Sequence, residues 1–202
     1  FQTHASPTII SNVTEAQQLV WNDTCIHNLA VLLKTCNIHK SITPAIIVKG
    51  CDVRTIIVLL QEEQISRSNI VIIGMDCAGI KNSAGTQLSK CNNCKDHRPP
   101  LYDHLIENPS IQVTELNTES SSVQQVQTFE SLPRSQRLAF WKQQAQKCIR
   151  CYACREICPL CYCPECFTDH NLPQYIPATA SLKGNFAWLL LRAFDVAGRC
   201  TG

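Results

Sequence analysis

Charge of either sign is scarce in this chain. It carries 18 Lys and Arg against 16 Asp and Glu, a formal net charge of +2, and charged residues make up only 17% of it. A nucleic-acid binder needs a large basic field and a solvating tail needs an acidic excess; both are missing. Long apolar runs are missing too. FAWLLLRAF, at Phe186 to Phe194, is far shorter than the roughly 20 residues that cross a bilayer and contains Arg192, so no membrane span is expected. The opening FQTHASPTIIS lacks the basic and apolar blocks of a secretory signal. Glycine is sparse, with 7 residues, and no G-x-G-x-x-G, P-loop, H-E-x-x-H or glycine-flanked serine nucleophile occurs.

Cysteine is abundant, with 14 residues in 202. In a short secreted chain that density reads as a disulfide framework. This chain is long, has no export signal, and shows apolar patterning that needs no covalent staples. The expectation is a reducing, cytoplasmic setting with thiols as metal ligands, the sequons at Asn12 and Asn22 being coincidental. There is no initial Met and the last residues are Cys200-Thr201-Gly202, which reads as an internal fragment.

The apolar spacing from Thr14 to Cys36 predicts a helix capped by Thr14. Ala45 to Val48 (AIIV) reads as a strand, Asp52 to Gln64 as a helix capped by Asp52, and Asn69 to Gly74 (NIVIIG) as a second strand. Strand, helix, strand in so short a span is a βαβ unit, so the strands are expected to be parallel. Ile111 to Leu116 (IQVTEL) alternates like another strand, and polar Asn117 to Gln127 reads as linker. Helices are expected after Ser131, as a cap with Pro133 in the first turn, and from Asn185 to Val196. The fold class is thus α/β with a parallel sheet over residues 1–116, a linker over 117–130, and a second domain over 131–202.

That layout places Cys51 and Cys77 just past the C-terminal ends of two strands, the edge where open parallel sheets bind ligands. Buried apolar filler is the alternative for each. Cys91 and Cys94 in CNNC add two donors at chelating spacing.

KCIRCYACREICPLCYCPECF, from Lys147 to Phe167, holds seven cysteines in twenty-one residues. Cys148-x2-Cys151-x2-Cys154-x3-Cys158-Pro159 matches the C-x2-C-x2-C-x3-C-P run of bacterial ferredoxins. Three thiolates, each separated from the next by two residues, wrap one face of a 4Fe–4S cubane, and the fourth cysteine serves a second cluster, so residues 131–202 are expected to form a ferredoxin-like α+β iron–sulfur domain. Cys158 and Cys200 are then ligands of that second cluster. The first cluster's fourth ligand would come from beyond Gly202, unless Cys161, Cys163 or Cys166 substitutes. The competing reading is zinc, with Cys91 and Cys94 pairing with Cys163 and Cys166. His97 and His170 lie near cysteines, either as ligands or as loop histidines. Lys49 either meets an anionic cofactor group or is solvated, and Arg150 and Arg155 either raise a cluster potential by their charge or face solvent.

VKGCDVRTIIVLLQEEQISRSNIVIIGMDCAGI (Val48 to Ile80), CNNCKDHRPPLYD (Cys91 to Asp103) and AFWKQQAQKCIRCYACREICPLCYC (Ala139 to Cys163) resemble the beta subunit of deazaflavin (coenzyme F420)-linked hydrogenases and formate dehydrogenases. The likeness runs from about Thr14 to Cys200, to the branch with ferredoxin-type motifs. It implies electron passage between 4Fe–4S clusters and an FAD, and in some members hydride transfer to the deazaflavin. It also implies that Cys51, Cys77, Cys91 and Cys94 form a further cluster site or a redox-active thiol group. The leading expectation is an electron-transfer subunit with two clusters in the intact protein and a third at the sheet. Its partners would be redox subunits or ferredoxin-like carriers in a hetero-oligomer, and no residue need do acid–base work. The alternatives are a flavin-containing reductase subunit and a zinc-stabilised interaction module.

Overall fold

A computed structural model of the chain describes residues 5–36, 42–92, 94–108, 121–170 and 172–201. The chain forms two units, in the main Phe1–Thr118 and Glu119–Cys200.

In the first unit, the long helix expected from Thr14 to Cys36 is replaced by short pieces. These are α1 (Val13–Ala16), a 3-10 turn at Leu29–Leu32, and α2 (Leu33–Cys36). The cause is asparagine. Asn22 Oδ1 accepts from the Thr24 amide at 2.9 Å and Asn28 Oδ1 from the Ala30 amide at 3.0 Å. Such local side-chain bonds offer the backbone an alternative to the helix. Asn12, not Thr14, caps α1.

The βαβ unit is present. β1 (Ala45–Val48) runs parallel to β2 (Val71–Met75), pairing Ile46 with Ile72 and Val48 with Gly74, and α3 (Gly50–Gln61) connects them. Ile46, Val48 and Ile72 are buried from the strands, and Val53, Ile56 and Leu59 from one stripe of the helix. Helix α3 begins two residues before the expected start. Asp52 sits in its first turn, its carboxylate accepting from the Lys49 amide at 3.4 Å. A third parallel strand, β3 (His104–Ile106), joins β2 through Ile73 and His104. Three residues are too few to show a period, so the sequence carried no sign of it. The strand read at Ile111 to Leu116 lies outside the described residues.

Apart from a single bridge residue at Gln174, the regular structure described in the second unit is helical, where α+β was expected. It comprises α4 (Ser121–Glu130), α5 (Arg134–Gln146), α6 (Ala153–Glu156), a 3-10 turn at Phe167–Asp169, and α7 (Leu182–Val196). Helix α4 occupies much of the stretch read as linker. Ser131 Oγ donates back to the Thr128 carbonyl at 2.7 Å rather than capping α5, which Pro133 precedes. Ser181 caps α7, its Oγ accepting from the Gly184 amide at 3.2 Å. The buried centre of this unit gathers Ala145, Leu160, Ile176 and Trp188. Among the described residues no helix is long and apolar enough to cross a membrane.

Two candidate cysteine sites

At the C-terminal edge of the parallel sheet, Cys51, Cys77, Cys91 and Cys94 line one cavity with Lys49 and Lys90. The thiols arrive by separate routes. Cys51 lies in the first turn of α3, where Gly50 presses on the next wall: a Cβ there would stand 2.0 Å from the Asp96 carbonyl oxygen. Arg54 Nη2 holds the Asp96 carboxylate at 2.5 Å across the same seam. Cys77 follows β2 and is clamped to His97 twice. Its amide donates to the His97 carbonyl at 2.8 Å, and His97 Nδ1 lies 2.8 Å from the Cys77 carbonyl. Beneath it Asp76, 2% exposed, accepts from Arg98 Nε at 2.9 Å and Nη2 at 2.7 Å. Arg98 and burial act oppositely on that carboxyl, and the guanidinium wins, holding it low.

Backbone amides already face two of the sulfurs. Gly79 N–H donates to Cys77 Sγ at 3.4 Å and Ile80 N–H to Cys91 Sγ at 3.4 Å. Gly79 is needed for this approach: its φ is +114°, and a Cβ would fall 2.4 Å from Gln87 Nε2. Amide donation to sulfur is one lever by which proteins set cluster potentials.

Lys49 is not free to meet a cofactor anion. Its Nζ is buried against Asp52 Oδ2 at 2.6 Å and the carbonyls of His27 (2.9 Å) and Cys25 (3.2 Å). That lysine ties the 25–27 segment over the site. Burial pushes the Cys51 thiol up to about 11, Asp52 adding and Lys49 opposing, and burial likewise raises Cys77. Without metal both are thiols at neutral pH, so binding a metal must release their protons.

A single tetrahedral zinc needs its sulfurs about 3.8 Å apart, from a Zn–S bond of about 2.3 Å. Among the described residues no three His, Cys, Asp or Glu converge on one ion in that way. The thiols instead surround a cavity of about 20 Å³, room for roughly one water. The site is a gathered donor set, not a finished cubane mould. An all-thiol set with two amides turned toward sulfur fits an iron–sulfur group by its chemistry.

The second site is the loop Cys148–Cys154 in the other unit. Arg150 and Tyr152 both take left-handed backbone, at φ 60° and 59°, though neither is glycine. Each such residue costs about 1–2 kcal/mol, so the surroundings must impose it. Helix α7 does so. Asn185, 1% exposed, accepts from Arg150 Nε at 2.8 Å and donates to the carbonyls of Cys148 (2.7 Å) and Ala145 (3.1 Å). Arg150 Nη2 donates to the Pro177 carbonyl at 2.9 Å, and its guanidinium lies over Trp188, 5.4 Å from the ring centroid. Trp188 meets Tyr152 edge-on at 5.6 Å. Left-handed residues interrupting a short loop are the kind of backbone from which anion-binding nests are built. The donor set, three cysteines at C-x2-C-x2-C spacing, fits a cluster face by its chemistry, though among the described residues the three thiols do not converge on one point.

Cys151 and Cys154 are exposed and Cys148 is half-buried. Cys161 is raised by burial and then by the Cys158 thiol beside it, with Arg192 opposing. Arg192 Nη2 also donates to the Cys154 carbonyl at 2.6 Å, drawing α7 to the loop. Cys166 Sγ lies 3.0 Å from Thr168 Oγ1, and Cys163 and Cys200 are exposed. All thirteen described cysteines are free of disulfides. The two arginines differ. Arg155 is ion-paired with Asp169 at 2.6 Å and Glu156 at 3.2 Å, whereas Arg150 is buried. The roles of Asn185 and Trp188 were not read from the sequence, since only contact across the fold reveals them.

No protein-family model matches the chain. Over 26 residues, 13% of the chain, it is 58% identical to the F420-dependent formate dehydrogenase 1 subunit beta of Methanococcus maripaludis. Over 31 residues, 15% of the chain, it is 48% identical to the F420-dependent formate dehydrogenase subunit beta of Methanocaldococcus jannaschii. These matches span 7% and 8% of the relatives' own lengths.

Proposed function

We propose that this chain is an iron–sulfur electron-transfer part of an oxidoreductase complex, of the kind named in two of its relatives. The observation that carries the reading is the convergence of four thiols, from three separate stretches of sequence, on one cavity at the ligand-binding edge of a parallel sheet. Cys51, Cys77, Cys91 and Cys94 hold one 4Fe–4S cluster. Cys148, Cys151 and Cys154 hold one face of another, with Cys158 and Cys200 serving a further cluster of the ferredoxin type. When bound, such clusters supply one-electron chemistry.

The chain's own residues bind, orient and shield. Gly50 and Gly79 allow the close approach that collects the sheet-edge thiols. The Gly79 and Ile80 amides point at sulfur and stabilise negative charge there. His97 fixes the carbonyl of Cys77, and Lys49 closes one side with the 25–27 segment. In the other unit, Asn185 and Trp188 hold the loop at its two left-handed residues.

Metal and acid-labile sulfide analysis after anaerobic reconstitution tests the proposal. Iron and sulfide in equal amounts, reduced by Cys77→Ser and by Cys151→Ser, are expected. Stoichiometric zinc with neither iron nor sulfide replaces it with the zinc-stabilised module.

A further inference from the structure

Arg150 is 8% exposed, and every partner its guanidinium has is neutral: the Asn185 side-chain oxygen, the Pro177 carbonyl and the Trp188 face. Among the described residues it forms no ion pair. A buried cation with no anion is costly, and proteins ordinarily pair it. The next arginine along the chain, Arg155 in α6, shows the ordinary arrangement, with Asp169 and Glu156 on its guanidinium and a quarter of its side chain in water. The missing anion must therefore be something other than a described carboxylate. The group expected in this loop is itself anionic, because four thiolates outweigh the positive iron–sulfide core, and reduction adds one more negative charge.

We propose that Arg150 is the built-in counter-charge of the cluster on Cys148, Cys151 and Cys154, placing that cluster's reduction potential above the value an uncharged residue would give. Arg155, neutralised by its acids, does not share the role. The inference rests on the cluster reading of this loop. Arg150 is a positioning residue as well, since its bonds to Asn185 and Pro177 hold the left-handed turn. Charge and shape are separated by two variants. Arg150→Lys keeps the cation and loses the planar fork; Arg150→Met loses the cation and keeps the length.

The test is an EPR-monitored redox titration of the full chain, anaerobically reconstituted with iron and sulfide. The loop's signal is identified as the one that Cys151→Ser removes. Arg150→Lys is expected to stay near the wild-type midpoint, Arg150→Met to fall well below it, and Arg155→Gln to remain unchanged. Arg150→Met failing to hold a cluster that Arg150→Lys holds supports the same conclusion. Equal shifts in Lys and Met variants, an unshifted Met variant, or loss of the cluster from Arg150→Lys each overturn it. A wild-type chain with no signal removed by Cys151→Ser overturns the cluster reading itself, which a bound but unshifted cluster leaves standing.

Discussion

Replacing Gly50 with alanine sets two effects against each other. Gly50 lies in the first turn of α3 without a left-handed φ, so helix propensity alone favours alanine by about 0.5–1 kcal/mol. The new Cβ, however, would sit 2.0 Å from the Asp96 carbonyl oxygen and 2.7 Å from its carbon. An unforced carbon–oxygen contact is about 3.3–3.6 Å, so one wall must retreat by roughly 1.3 Å or more. The obstructing atoms are backbone and cannot swing aside, which puts the strain at the upper end of the about 1–3 kcal/mol typical of overpacking. The net expectation is a loss of about 2 kcal/mol, the clash outweighing propensity. Asp96 lies between Cys94 and His97, so its retreat carries both away from Cys51 and Cys77. Urea unfolding reads the stability, and iron and sulfide per chain after reconstitution read the site. Gly85→Ala is the control. Its φ of +76° strains alanine by about 1–2 kcal/mol, but nothing lies within 4 Å, so stability should fall with uptake intact. A Gly50→Ala chain more stable than wild type, with full iron uptake, would refute the packing argument for the first site.

The raised Cys51 thiol predicts sluggish alkylation in the metal-free chain. With its midpoint near 11, only about one molecule in a hundred is thiolate at pH 9, and site-resolved iodoacetamide labelling should show that midpoint rather than one near 9. Asn185→Ala strips partners from Arg150 Nε and from the Cys148 and Ala145 carbonyls. It should lower stability by about 2–4 kcal/mol in urea unfolding, and less than 1 kcal/mol would show the clamp to be incidental. Asp76→Asn weakens the paired Arg98 contact by about 1–3 kcal/mol at neutral pH. Because the Asp76 carboxyl is held low, its contribution is present above about pH 4 and fades as pH falls through the folded value. Wild type and Asp76→Asn should therefore converge in acid, and a constant gap across pH would contradict the assignment.

Where the chain states its structure locally, sequence reading reached it. AIIV and NIVIIG are β-branched runs joined by a helix-length spacer, and β1 and β2 are parallel strands within a residue or two of those bounds. The placement of Cys51 and Cys77 at the strand ends followed, and with CNNC it named the four thiols that share a cavity. What failed was local competition and distant contact. From Thr14 to Cys36 the apolar spacing is helical, but Asn22 and Asn28 bond their own backbone and break it into turns. Strand β3 exists because β2 offers a free edge, not because three residues specify it. Arg150 and Arg155 look alike in CIRCYACRE. Only Asn185 and Trp188, far along the chain, bury the first, while Asp169 draws the second outward.

Of the clusters proposed above, the one on Cys51, Cys77, Cys91 and Cys94 and the one on Cys148, Cys151 and Cys154 can be told apart by single substitutions. Low-temperature EPR of the dithionite-reduced, reconstituted chain reads both, with Cys77→Ser and Cys151→Ser beside the wild type. At least two reduced-cluster signals are expected, one removed by each substitution while the other persists. A wild-type spectrum with neither signal, in a chain that binds zinc and holds no sulfide, would contradict the proposal.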